Sequence, residues 1–425
     1  MKNLCASLIS FILCQFTLSA QVIDCSGRSA VINTMLKAKN FSGAFIQWGL
    51  AEKCLTESED LYPYGEKILQ YKIDNAASAD EKKSAVSALL QLYADQNKNF
   101  PANKNGNAVK TAMLMHKHDL GKPEAIYVLL KEAFANDRSN FSDANALYVY
   151  FGIFYKKYEK GEKETSLEDV FALRDNIVQH VAMLRKNNIS GHSDYKAATD
   201  GINALIAPIA TCDKLLPFYQ KSFEANKNDK AWLEHTTLTL AAKNCTSAPF
   251  FLEIAAQWHL VNPDAKSAYN LAMAHLRNRN HLKAAEFFTV AIELENNPAE
   301  KARTAYTIAT INSSKKEEAV KFLKKAITFD ATYGKPYLFL AQLYAGAGTE
   351  CTFKEFEKKA VFLLAAQTAE KAAVADKSLK GASKHVSDMY RQKAPTAEEI
   401  KQSGNTGKKI VLGCWINETI VFPGK

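Results

Sequence analysis

The stretch MHKHD places His116 and His118 two residues apart, and SGHSD gathers Ser190, His192 and Asp194. Imidazole pairs hold metal ions, and Ser/His/Asp sets attack acyl groups, so both stretches invite a catalytic reading. Their spacing argues against it. Residues i and i+2 of a helix point to different sides, so the two histidines make a poor ligand pair. A nucleophile, its base and an orienting carboxylate must converge from separate elements, which consecutive residues rarely do. SGHSD reads better as a polar loop ahead of a helix. HExxH, G-x-S-x-G and G-x-x-x-x-G-K-[ST] do not occur. The adjacent Glu317 and Glu318 fit a helix start, where carboxylates complement the macrodipole. The expectation is a protein that is not an enzyme and carries no cofactor or metal.

The cysteines raise a second kind of chemistry. The chain opens MKNLCASLISFILCQFTLSAQ. One lysine, an apolar run and small residues before Gln21 read as a signal peptide over residues 1–20, cut after Ala20. Cleavage would remove Cys5 and Cys14 and leave Cys25, Cys54, Cys212, Cys245, Cys351 and Cys414. An even number in an oxidising compartment implies disulfides, with many pairings open and buried free thiols as the alternative. Neither Cys14 nor Cys25 directly follows the small residues that a lipid-anchor signal requires. No later stretch is apolar for long enough to span a bilayer. The expectation is a soluble exported protein: periplasmic, outer-membrane-associated or extracellular.

A chain of 425 residues is too long for one core, so several domains or a stacked array must position these groups. With 47% hydrophobic residues, 11 Pro and 18 Gly, the composition favours helix. The net charge of +9 is mostly scattered lysine, which reads as solvated helix faces. No arginine stripe alternates with aromatics, so nucleic acid is not an expected partner.

Hydrophobic periodicity names the elements. In residues 267–298, Ala268, Leu271, Ala272 and His275 share one helical face, and Ala284, Phe288 and Ala291 share another. A polar turn at Arg277 to Asn280 joins the two helices. Tyr306 lies 35 residues after Leu271; Ala319, Leu323 and Ala326 lie 35 after Ala284, Phe288 and Ala291. Tyr337, Leu340, Ala341 and Tyr344 start the face again, Leu340 lying 34 beyond Tyr306. This period of helix pairs resembles the tetratricopeptide repeat (TPR) family. Tyr148, Phe151, Gly152 and Tyr155 resemble its first-helix face, and FSGAFIQWGLAEKC reads as one more helix of the kind. With the "LSAQ" ending of its signal, the chain looks like an exported Bacteroidota TPR protein.

The resemblance implies an all-α, irregular TPR-like superhelical solenoid of helix pairs, closed by a short β-hairpin-like segment. Residues 21–264 form a divergent helical region, 265–393 the clear repeats and closing helices, 394–408 a linker and 409–425 the β segment. Cys212 and Cys245 stand 33 residues apart, near one repeat, so they fall side by side in neighbouring units. The reading pairs Cys212 with Cys245, Cys351 with Cys414, which would staple the β segment, and Cys25 with Cys54. By resemblance, ligands enter a concave groove along the first helices. Its residues here are Tyr269, Met273, Arg277, Lys301, Ile308, Leu338 and Gln342, which suit a peptide with an acidic element. The function implied is a scaffold for a protein or peptide, with peripheral association with a cell-envelope complex. The alternative is a glycan- or nutrient-binding protein like the TPR lipoproteins of outer-membrane uptake systems. Its marks would be a lipid-anchor cysteine and aromatics on loops, whereas Trp48, Trp232 and Trp258 fall on helices.

Overall fold

The computed structural model describes residues 25, 27–163, 165–186 and 192–424. The signal peptide of residues 1–20 and the first two residues of SGHSD lie outside them. Two compact units emerge, one ending at Ala207 and one beginning at Pro208. Twenty α-helices and one two-stranded sheet occur among the described residues.

The first unit holds α1 (Arg28–Lys37), α2 (Phe41–Leu50), α3 (Leu61–Asp74), α4 (Ala79–Asn99), α5 (Lys104–Lys117), α6 (Pro123–Asn136), α7 (Ala144–Glu159), α8 (Leu167–Lys186) and α9 (His192–Leu205). α1/α2, α3/α4 and α5/α6 pack as helix pairs, and α7 packs more on α9 than on its neighbour α8. The second unit holds α10 (Cys212–Asn226), α11 (Lys230–Ala242), α12 (Pro249–Val261), α13 (Ala265–Arg277), α14 (His281–Leu294), α15 (Pro298–Ile311), α16 (Lys316–Phe329), α17 (Lys335–Gly346), α18 (Glu355–Ala375), α19 (Lys380–Arg391) and α20 (Ala397–Gln402). The pairs α11/α12, α13/α14, α15/α16 and α17/α18 follow in order, and α19 folds back on α18. The fold is all-α and TPR-like.

Small residues draw the paired helices together. Ala272, Ala284 and Ala291, then Ala305, Ala309, Ala319 and Ala326, then Ala341 and Ala360, are all essentially closed to solvent. Leu271, Phe288, Leu323, Leu340 and Tyr344 fill the space between them. Short polar side chains start the helices. Asp264 and Ser267 form a reciprocal capping box at α13, and Asn280 accepts from the Lys283 amide at α14.

Four first helices end alike. Lys39, Asp119, Asn244 and Arg279 adopt φ between 51° and 59° after α1, α5, α11 and α13. After α13, the Arg279 amide donates to Leu276 O and the Asn280 amide to His275 O, which completes a Schellman closure. Among the four, Asp119 and Asn244 are residue types that adopt this region with less strain, whereas Lys39 and Arg279 are not.

Disulfides link Cys25 to Cys54, Cys212 to Cys245 and Cys351 to Cys414, with Cα separations of 5.7, 5.5 and 6.0 Å. The last one ties the C-terminal hairpin to the turn after α17. Strands β1 (Lys409–Leu412) and β2 (Glu418–Val421) run antiparallel, with Leu412 opposite Glu418. Leu412, Ile416, Ile420 and Phe422 are buried in one cluster with Tyr344, Val361 and Leu364. Val411 and Val421 point outward. The expected linker over 394–408 contains α20 instead. Its Thr396–Glu399 capping box starts the helix, and buried Ile400 anchors it.

Two outcomes follow from these elements. Arg279→Gly removes an αL cost of about 1–2 kcal/mol against a Gly entropy cost of about 0.5–1 kcal/mol. A net gain approaching about 1 kcal/mol is expected in urea unfolding, and a loss would contradict the closure. The second concerns pH. Burial lowers the imidazole pKa of His118, His180, His259 and His275 below 6.5. The unfolded chain therefore takes up protons first as pH falls through 6.5, so stability is complete above that value and declines below it. The urea midpoint should drop between pH 7 and about pH 5, and His275→Gln should flatten the decline.

Candidate functional site

The first helices α15, α17 and α19 bound a cleft of about 400 Å³ in the second unit. α15 turns Ala302, Ala305 and Ala309 to the seam, which leaves Tyr306 at the edge between seam and solvent. Its ring meets Tyr333 and Phe339 edge-on, at centroid distances of 5.5 and 6.1 Å. Leu338 and Phe339 of α17 make the next wall, with Lys335 and Gln342 one turn to either side.

The third wall depends on two serines. Ser383 and Ser387 of α19 are each 2% exposed. The Ser383 hydroxyl donates to Ala369 O at 2.7 Å and the Ser387 hydroxyl to Glu370 Oε1 at 2.7 Å. Arg391 donates to the same carboxylate oxygen through Nε and Nη2, at 2.8 and 2.6 Å. Small hydroxyls thus seat α19 tightly on α18 and leave Val386, Met389 and Tyr390 to line the cleft. Burial raises the hydroxyl pKa of Tyr306, Tyr333 and Tyr390, so all three are neutral hydrogen-bonding groups at physiological pH.

The seven residues expected along the groove divide. Leu338 and Gln342 line the cleft. Lys301 is half-buried on α15, its Nζ 5.9 Å from the centre of the Phe329 ring. Tyr269 and Met273 pack partly against the Ala272–Phe288 cluster, Tyr269 meeting the Phe288 ring edge-on at 5.4 Å. Arg277 is exposed at the end of α13. Ile308 is a correction: it is 1% exposed and belongs to the core with Ala272, Ala284 and Phe288. Ile308 directly precedes the seam residue Ala309, and the neighbouring pair covers it.

The sequence reading missed Phe339, Val386, Met389 and Tyr390. The last three have the i, i+3, i+4 spacing of one helical stripe, a signal present in KGASKHVSDMYR. What the cleft offers is apolar and aromatic wall, the phenol groups of Tyr306 and Tyr390, one amide and one ammonium. Among the described residues no group of three or more His, Cys, Asp or Glu could hold a metal ion.

No protein-family model and no curated protein matches the chain. Among solved structures, the chain is similar to the human IFIT1 dimer with m7Gppp-AAAA, at 14% identity and a TM-score of 0.31, covering 83% of this chain and 74% of that one. It is likewise similar to yeast Tom70, at 14% identity and a TM-score of 0.27, covering 90% and 83%. The fold assignment rests on the chain's own helix pairing.

Gly334 sets where α17 begins. A Cβ there would lie 2.7 Å from Leu379 Cδ1 and 2.9 Å from the Ala372 carbonyl oxygen, and backbone cannot yield as a side chain can. Gly334→Ala is expected to cost about 1–3 kcal/mol in urea unfolding. An unchanged midpoint would contradict the close approach of Gly334 to the end of α18.

Proposed function

We propose that the chain is an exported scaffold that binds an extended segment of a protein or peptide along the first helices of its second unit. The observation that carries this reading is the cleft of Tyr306, Leu338, Phe339, Val386 and Met389, which is partly open, mostly apolar and free of any paired acid and base. Such a surface gains binding energy by taking in apolar side chains, while Gln342 offers hydrogen bonds to a peptide backbone.

The charge supports a ligand with an acidic element. Residues 208–425 carry 30 Lys and Arg against 22 Asp and Glu, whereas residues 1–207 carry 24 against 23. Lys335 stands at the cleft, and Lys301 and Arg277 lie on preceding first helices. Tyr269, Met273, Arg277 and Lys301 would extend the contact beyond the cleft.

Three disulfides fit an oxidising compartment outside the cytoplasm. No described helix is long and apolar enough to cross a membrane. With the signal-like N-terminus, these features favour the periplasm, the outer-membrane surface or the medium, and a peripheral place in an envelope complex.

The test is photo-cross-linking in the native cell with a reactive residue at Leu338, and at Lys321 on α16 as the control. A discrete protein partner trapped at Leu338 but not at Lys321 is the expected result. Leu338→Asp with Gln342→Ala should then weaken that partner's affinity about tenfold or more with helical content kept by circular dichroism, although the contact of Leu338 with the core lowers Tm. Equal trapping at both positions would remove the groove from consideration.

A further inference from the structure

The strongest unexplained surface lies in the first unit, and no residue of α13 to α19 enters it. α2, α3 and α4 bound a cleft of about 920 Å³. The sequence of α2, FSGAFIQWGL, is apolar nearly all round, yet only Ala44 of it is fully buried. Phe45, Ile46 and Leu50 remain 38%, 62% and 55% exposed, and Tyr71 of α3 is 41% exposed beside them. A helix that is apolar on every side is stable in water when something covers it. An exposed apolar patch of this kind marks an interaction site.

The floor is rigid. Trp48 lies flat on α3 at Gly65, where an added Cβ would sit 2.5 Å from the indole ring. Phe41 and Tyr71 stack in parallel at 3.9 Å and close one end. Ile68, Leu69 and Leu92 lie beneath.

The rim has the opposite charge from the rest of the chain. Glu52, Glu81 and Asp95 line the cleft, and none of them is in an ion pair among the described residues. Residues 52–95 carry nine Asp and Glu against five Lys in a chain of net charge +9. The one basic group of the lining is Lys72, whose Nζ lies 3.5 Å from the centre of the Phe45 ring. The cleft thus already holds one ammonium group over an aromatic face.

We infer that this cleft is a second docking site, whose occupant is a basic amphipathic helix of a partner protein. The apolar stripe of that helix would cover Phe45, Ile46 and Leu50, and its flanking Lys or Arg would face Glu52, Glu81 and Asp95. An acidic helix would meet like charge across the rim. A glycan would leave the aliphatic ridge of Ile46 and Leu50 uncovered. The site is separate from the second-unit groove and prefers the opposite charge, so the scaffold discriminates two kinds of segment.

The probe is a labelled synthetic helix of about 18 residues, Leu on one face and Lys on the other, with a Leu/Glu counterpart as control. Anisotropy is measured on the full exported chain. The Leu/Lys helix should bind, and its affinity should fall about tenfold between about 0.05 and about 0.5 M salt. Glu52→Lys with Asp95→Lys should weaken it about tenfold, and Ile46→Ser with Leu50→Ser by a similar factor. These side chains are exposed or half-buried, so the variants keep the fold; Glu81 stays, because its carboxylate accepts from the Ala77 amide ahead of α4. Leu338→Asp should change nothing here, which separates this site from the second-unit groove. The inference is overturned by no binding of the Leu/Lys helix, by equal binding of the Leu/Glu helix, by indifference to the first-unit substitutions, or by displacement with neutral oligosaccharides.

Discussion

Everything in the second unit depends on how closely its paired helices approach. Helix axes pack about 8–10 Å apart, and small residues allow the lower end of that range. Ala272, Ala284, Ala305, Ala319, Ala326, Ala341 and Ala360 are buried to 2% exposure or less. A pair joined this tightly has little volume left for large side chains on its own seam. Leu271, Phe288, Leu323 and Leu340 therefore fill the space beside the alanines, and the remaining aromatics move to the flanks. Tyr306, Tyr333 and Phe339 are half-buried for that reason, and the cleft is the place where their flanks meet. The groove is a consequence of the seam.

The same constraint explains how much was legible beforehand. A repeat of 34 to 35 residues shows through because the alanine positions tolerate few alternatives. The helix pairs follow from spacing, as does the Cys212–Cys245 pairing by repeat register, whereas the terminal hairpin follows from the β-branched and aromatic residues of 409–425. What the spacing hid was local backbone chemistry. Lys39 and Arg279 occupy left-handed turns that composition assigns to Gly, Asn or Asp. Pro395, Ser403 and Gly404 flank α20 and signal a linker in the sequence, although the Thr396–Glu399 box marks a helix start. Ile308 falls on the groove side of a helical wheel, which cannot show how far the neighbouring pair wraps around α15.

The cleft itself was half visible. α17 was recognisable because its Leu340 and Ala341 keep the repeat, so Leu338 and Gln342 followed from it. α19 carries serine where earlier pairs carry alanine. Ser383 and Ser387 do the alanines' steric task and add two hydrogen bonds to α18, but a hydrophobic pattern does not register them. The Val386, Met389 and Tyr390 wall was lost with them. The first-unit cleft shows the converse. α2 looked like an ordinary repeat helix because it is apolar, and only its exposure shows that the apolar residues exceed what the fold covers.

The C-terminal hairpin answers a requirement that repetition creates. Each pair buries its face on the next one, so the last pair has a face with no successor. Two strands alone are marginal in water, and β1 and β2 hold only because they lie on that face. Leu412, Ile416, Ile420 and Phe422 complete the cluster begun by Tyr344, Val361 and Leu364. Glu418 fixes the register, taking Lys324 of α16 at 2.6 Å and the Tyr344 hydroxyl of α17 at 3.1 Å. The exposed ion pair contributes at most about 1 kcal/mol, so its role is orientation more than strength. The Cys351–Cys414 bond closes a loop spanning 63 residues and constrains the unfolded chain by about 3–5 kcal/mol. That term far exceeds the ion pair, so the end of the array is held chiefly by burial and by the disulfide.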